Sequence, residues 1–243
     1  MNKNIRLLIE GLYADLYDIE DQKNLDTELA DEYIVYKYQP ESTKELKELL
    51  MKLLNERGKD ANLNDIDVSK ITNMKCLFEY LDPHNIDISK WDVSNVKNIM
   101  HMFYNCKNFN CNLNKWDVSK VKDMDGVFYG CINFDCDLSN WNVSEAKDMR
   151  TMFYNCLKFK GTGLDKWNPK KCIDMWYMFY KCSTFDCDLN NWNVSKVKDM
   201  SHMFYKCEKF KGNGLGKWNV SFITDISGMF TCCYNLKKPS WYK

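Results

Sequence analysis

The sequence predicts an α/β repeat solenoid: parallel strands on one face of a curved coil, short helical segments on the other, and a helical cap at the N-terminal end. Three observations carry that expectation. Trp91, Trp116, Trp141, Trp167, Trp192 and Trp218 recur every 25 or 26 residues, and Ile66 heads a degenerate seventh copy. Twelve positions after each heading residue stands a phenylalanine: Phe78, Phe103, Phe128, Phe153, Phe179, Phe204 and Phe230. A fixed interior with a one-residue wobble elsewhere puts the extra residue in a loop, and Gly161-Thr-Gly163 and Gly212-Asn-Gly214 stand in the two copies that carry it. Finally, the residues before the repeats read as a capped helix. Repeats of this length bury their apolar face only by stacking on neighbours, so the open end needs such a cap.

Two regions follow, an N-terminal helical region and cap over 1–60 and a repeat array with a truncated C-terminal cap over 61–243. Ile5, Leu8, Ile9, Leu12, Leu16 and Ile19 lie at helical spacing, and an aromatic run from Tyr33 to Tyr38 ends at Pro40. Ser42 to Glu45 is a capping box opening a helix with Leu46, Leu49, Leu50, Leu53 and Leu54 on one stripe, and Gly58 is its stop. Within a copy, Leu113, Trp116 and Val118 read as a short strand and Ser119 as a helix N-cap. Val121, Met124, Val127, Phe128, Cys131 and Phe134 then follow at the three-and-four spacing of one helical face. Pro239, Ser240, Trp241 and Tyr242 close the array.

Composition narrows the function classes. The 34 basic and 34 acidic residues cancel, which argues against nucleic acid as the partner. Glu10, Asp15 and Asp18 interrupt the first apolar segment, so it does not read as a secretory signal, and no stretch reaches membrane-spanning length. The expectation is a cytoplasmic protein without membrane insertion. Six of the twelve cysteines, Cys106, Cys131, Cys156, Cys182, Cys207 and Cys233, fall three residues after the repeat phenylalanine. They read as a ladder of reduced thiols acting as small hydrophobes. A second series, Cys111, Cys136 and Cys187, also recurs with the period, and His84, His101 and His202 are the only histidines. Neither set gathers four ligands or a nucleophile with its base, so no catalytic residue, metal or cofactor is expected.

The segment WDVSNVKNIMHMFYNCKNF, Trp91 to Phe109, resembles the bacterial surface-protein repeat of 25 to 26 residues, the DUF285-type family related to BspA-like leucine-rich repeats. Met102-Phe103, Met152-Phe153, Met178-Phe179, Met203-Phe204 and Met229-Phe230 match its Met-Phe-x-x-Cys place, while Leu77-Phe78 and Val127-Phe128 match it loosely. YQPESTKELKELL resembles the helical leader of such proteins. The resemblance implies a curved leucine-rich-repeat coil used for adhesion or protein recognition, often at the cell surface or secreted.

The expected function is thus a non-catalytic protein-interaction module. A surface adhesin or glycan-binding protein is one alternative, and a thiol-based metal or redox protein is another. Two rows of residues are candidates for the partner, whose identity and the oligomeric state stay open. Tyr104, Tyr129, Tyr154, Tyr180 and Tyr205 follow the repeat phenylalanine directly and would leave the helical side as an aromatic stripe with a polar handle. On the strand side, Asp92, Asp117, Asn142, Asn168, Asn193 and Asn219, with lysines such as Lys115, would line a polar concave sheet. A further column, Asn98, Asp123, Asp148, Asp174, Asp199 and Asp225, beside Lys97, Lys122, Lys147 and Lys198, reads as a solvated face.

Overall fold

The computed structural model describes residues 36–243, and within it Lys37–Lys243 forms one compact unit. The apolar pattern from Ile5 to Ile19 lies outside the described residues.

The first element is the helix α1, Thr43–Arg57. Ser42 caps it, its Oγ accepting the Glu45 N–H at 3.2 Å, and Gly58 stops it with φ 87°. Glu45 reaches one residue further back than a regular capping box and accepts the Glu41 N–H at 2.8 Å. Leu46, Leu50, Leu53 and Leu54 are buried along one stripe. Along the edge of that stripe, Thr43 Oγ1 donates to the Asn73 carbonyl and Lys47 Nζ to the Cys76 carbonyl, at 2.5 and 2.8 Å. These side chains supply donors where a preceding copy would otherwise stand.

The repeats themselves overturn the expected α/β class. Among the described residues α1 is the one α-helix, Leu164–Lys166 and Leu215–Lys217 are single 3₁₀ turns, and no sheet forms. Each copy is instead a chain of four-residue turns. In the copy headed by Trp116 the closing bonds run Trp116 N–H to Leu113 O, Val121 to Val118, Tyr129 to Gly126, Cys131 to Phe128 and Phe134 to Cys131, all at 2.9–3.1 Å. The segment Leu113–Val118 is therefore turn rather than strand. Parallel pairing is limited to isolated bridges: one residue per copy from Asn73 through Asn98, Asp123, Asp148, Asp174 and Asp199 to Asp225, with Tyr38–Ile66 and Asn62–Asp87 added at the N-terminal end.

The predicted helical segments fail for a stereochemical reason. Two residues in each copy, two before and two after the repeat phenylalanine, have positive φ: Gly126 and Gly130 at 57° and 71°, His101 and Asn105 at 53° and 58°. An α-helix of L-residues does not admit such a pair. Alternate N–H groups between them also leave the copy, from Met124, Gly126, Phe128 and Gly130 to the carbonyls of Asp148, Arg150, Met152 and Tyr154 at 2.7–3.0 Å. They are therefore unavailable to close bonds four residues back. Ser119 is no helix cap; its N–H donates to Asp117 Oδ1 at 3.0 Å.

The interior is a set of stacked columns. Successive repeat phenylalanines lie 5.1–5.7 Å apart from Phe78 to Phe230, with interplanar angles of 2–15°. Trp91 stacks on Trp116, and Trp141, Trp167, Trp192 and Trp218 stack in series, at 6.3–6.4 Å, with Trp241 extending the column by one ring. Each indole N–H donates to a carbonyl in the copy before: Trp116 to Ile88, Trp141 to Leu113, Trp167 to Leu138, at 2.9–3.0 Å. Each repeat cysteine does the same with its thiol, Cys131 to Phe103 and Cys207 to Phe179, both at 3.0 Å. Aromatic burial, the main apolar contribution, is thus tied to satisfied polar groups.

Candidate partner-binding face

The five repeat tyrosines form a continuous half-buried stack. Ring centroids are 4.6, 4.4, 4.6 and 4.7 Å apart along Tyr104, Tyr129, Tyr154, Tyr180 and Tyr205, with interplanar angles of 3–14°. The column exists because Tyr sits between Phe, which points inward, and a left-handed residue that turns the chain back. Burial, reinforced by the neighbouring phenols, pushes the Tyr154 hydroxyl up to about 12 and raises that of Tyr104. Both remain neutral donors and acceptors at physiological pH.

Near Trp167 the stripe widens. Trp176 is 40% exposed and packs edge-on against Tyr177 at 4.5 Å; Tyr177 lies 4.9 Å from Tyr180 and stacks on His202 at 4.7 Å. Lys181 Nζ lies 5.4 Å over Tyr180 and Lys206 Nζ 5.8 Å over Tyr205. This enlargement was not read from the sequence. Its signal was present: the left-handed places that hold Gly126 and Gly130 in the copy headed by Trp116 hold Tyr177, Lys181, His202 and Lys206 here.

The second candidate row has a different use. Asp92, Asp117, Asn142, Asn193 and Asn219 are exposed, but each side-chain Oδ1 accepts the N–H of the serine two residues on, at 3.0–3.1 Å. Asn168 is exposed too, and the chain turns at Pro169 beside it. These are Asx turns that shape a corner, and with no sheet there is no concave sheet face for them to line. The column from Asn98 to Asp225 repeats the device; Asp174, for example, accepts the Trp176 N–H at 2.9 Å.

That column is only partly neutralised. Arg150 reaches Asp148, Asp125 and Asp174 at 2.8, 3.4 and 3.9 Å. Burial raises the Asp125 and Asp174 carboxyls, with the Asp148 charge adding to it. Along another edge, His84, Asn108, Asn133, Asp135, Lys158 and Lys160 line an open groove of about 710 Å³.

The thiols are buried donors. Burial pushes Cys106 up to about 12 and raises Cys131, Cys156, Cys182 and Cys207 well above the ordinary thiol range, so thiolate, the reactive form, is scarce. Cys233, at the end of the ladder, is half-buried. Among the described residues no three His, Cys, Asp or Glu side chains gather as metal ligands would. Nor, among them, is any helix long and apolar enough to cross a membrane.

Against known families, residues 46–163 and 147–241 match the family model described as DUF285, Mycoplasma protein of unknown function. The chain belongs to that family. No curated protein and no solved structure matches it.

Proposed function

We propose that the chain is a non-catalytic protein-interaction module whose recognition surface is the tyrosine stripe from Tyr104 to Tyr205. The observation that supports this most directly is the stack itself. Five half-buried aromatic rings at 4.4–4.7 Å spacing, widened by Trp176 and Tyr177, offer a rigid face with phenol groups for hydrogen bonding. Tyr and Trp dominate binding energy in protein interfaces because they bury large area with little loss of side-chain freedom. The turn row Asp92 to Asn219 is the weaker candidate, since its oxygens are already engaged by the backbone.

The test is site-specific photo-crosslinking in native cells, with a benzoylphenylalanine at Tyr154 in one chain and at Asn142 in another. Protein adducts from Tyr154 that vanish when Tyr129 and Tyr180 are changed to serine support the stripe. Adducts from Asn142 with none from Tyr154 overturn it.

A glycan-binding reading is favoured by the polar groove lined by Asn108, Asn133 and Lys158. Saturable binding to a glycan array, abolished by Asn108→Ala with Asn133→Ala, would establish it.

A further inference from the structure

Four bulky residues in the two adjacent copies headed by Trp167 and Trp192 adopt the left-handed conformation that favours glycine: Tyr177, Lys181, His202 and Lys206, at φ 56–62°. In the copy headed by Trp116 the equivalent places are filled by Gly126 and Gly130, which take this conformation freely; other copies place Asn105 and Asn155 there, and also His101 and Thr151. The conformation recurs in every copy, held there by the bonds between copies, and what differs is the side chain each copy projects from it. Here the four strained side chains converge on one patch. Tyr177 stacks on His202, Lys181 lies over Tyr180, and Lys206 lies over Tyr205.

The patch is electrostatically unfinished. Neither Lys181 nor Lys206 forms an ion pair among the described residues, although the two ammonium groups stand on successive copies. His202 Nδ1 is buried without a hydrogen-bond partner. The carboxylates Asp148, Asp174 and Asp199 run in a column through these copies. That column would repel a long polyanion laid along the array, whereas a short acidic segment crossing it meets the lysines and aromatic rings.

Building on the tyrosine-stripe reading, we propose that Trp176, Tyr177, Lys181, His202 and Lys206 form an anchor point for an acidic peptide segment of a partner protein. A partner Asp or Glu carboxylate pairs with Lys181 and Lys206. An apolar side chain next to it packs on Trp176 and Tyr177.

The probe is a fluorescein-labelled peptide of alternating glutamate and leucine, titrated against the full chain by fluorescence polarisation beside its glutamine counterpart. The glutamate peptide should bind about tenfold tighter than the glutamine peptide, and the difference should shrink as salt is raised. The double variant Lys181→Asn, Lys206→Asn should lose that preference while melting no lower than wild type, because asparagine suits the backbone there. Lys181→Arg with Lys206→Arg should keep it. Equal binding of the two peptides, or full preference in the Asn variant, overturns the anchor. So does tighter binding of a single-stranded oligonucleotide or of an oligosaccharide. Crosslinking from Tyr154 reports on the stripe separately, so loss of the anchor and loss of the stripe are told apart.

Discussion

Trp116 donates its indole N–H to the carbonyl oxygen of Ile88 at 3.0 Å, and both groups are buried. The ring therefore does two jobs: it stacks on Trp91 at 6.3 Å, and it gives the Ile88 carbonyl, which already accepts the Trp91 N–H at 3.2 Å, a second bond from the following copy. Trp116→Phe keeps much of the apolar area and removes that second bond while the acceptor stays paired, which costs about 0.5–1.5 kcal/mol. Phe128→Ala removes a fully buried ring and should cost about 3–5 kcal/mol. Urea unfolding monitored by far-ultraviolet circular dichroism measures both. A shift within error for either would place that ring outside the core.

Gly163 and Gly216 give a matched pair. A Cβ at Gly163, where φ is 90°, would sit 2.3 Å from the Ser139 backbone nitrogen, whereas one at Gly216 meets nothing within 4 Å. Gly163→Ala should destabilise by about 1–3 kcal/mol through forced backbone movement. Gly216→Ala should be neutral or slightly stabilising. Thermal melts of the two variants side by side decide it.

The ladder thiols should resist modification. Cys131, Cys156, Cys182 and Cys207 are fully buried and each donates to a carbonyl. Maleimide labelling of the native chain, read by peptide mass spectrometry, should spare them and mark the half-buried Cys232 first. Rapid labelling of Cys156 in the folded chain would mean that the ladder opens.

Asp174 carries a pH-dependent penalty. Its folded carboxyl is raised by burial, then by the Asp148 and Asp199 charges. A carboxylate raised on folding favours the native state most fully below its unfolded value and withdraws that contribution as pH climbs through the folded one. Asp174→Asn keeps the oxygen that accepts the Trp176 N–H and removes the charge. It should raise the melting temperature at pH 7, by about 1 kcal/mol or less in stability. The gain should disappear near pH 3, and a variant less stable than wild type at both pH values would contradict this account.

Much of the interior could be read from the residues alone. Trp116, Phe128, Cys131 and Phe134 point inward because their period repeats, and the six cysteines align because the spacing to phenylalanine never changes. The kinds of element could not be read the same way. Apolar residues three and four apart suit a helix and equally suit four-residue turns joined end to end. What separates the two is Gly126 and Gly130 flanking Phe128, with Asn105 and Asn155 in the matching place, a pattern of left-handed residues that excludes the helix. Asp117 and Asn142 looked free for a partner because an exposed amide or carboxylate gives no sign in sequence that it is bonded to its own backbone. The Tyr177–His202 stack depends on strained conformations that no propensity predicts.

The hydrogen bonds that join copies, such as Phe128 N–H to Met152 O, run from one copy to the next. A pull applied at the two ends therefore loads them in series rather than in shear, like rungs unzipped singly. Each rupture would free one 25- or 26-residue copy, a gain of roughly 80–90 Å of extended chain at about 3.3–3.6 Å per residue. Under tension the array should behave as a counted tether, paying out in equal steps that optical tweezers can resolve.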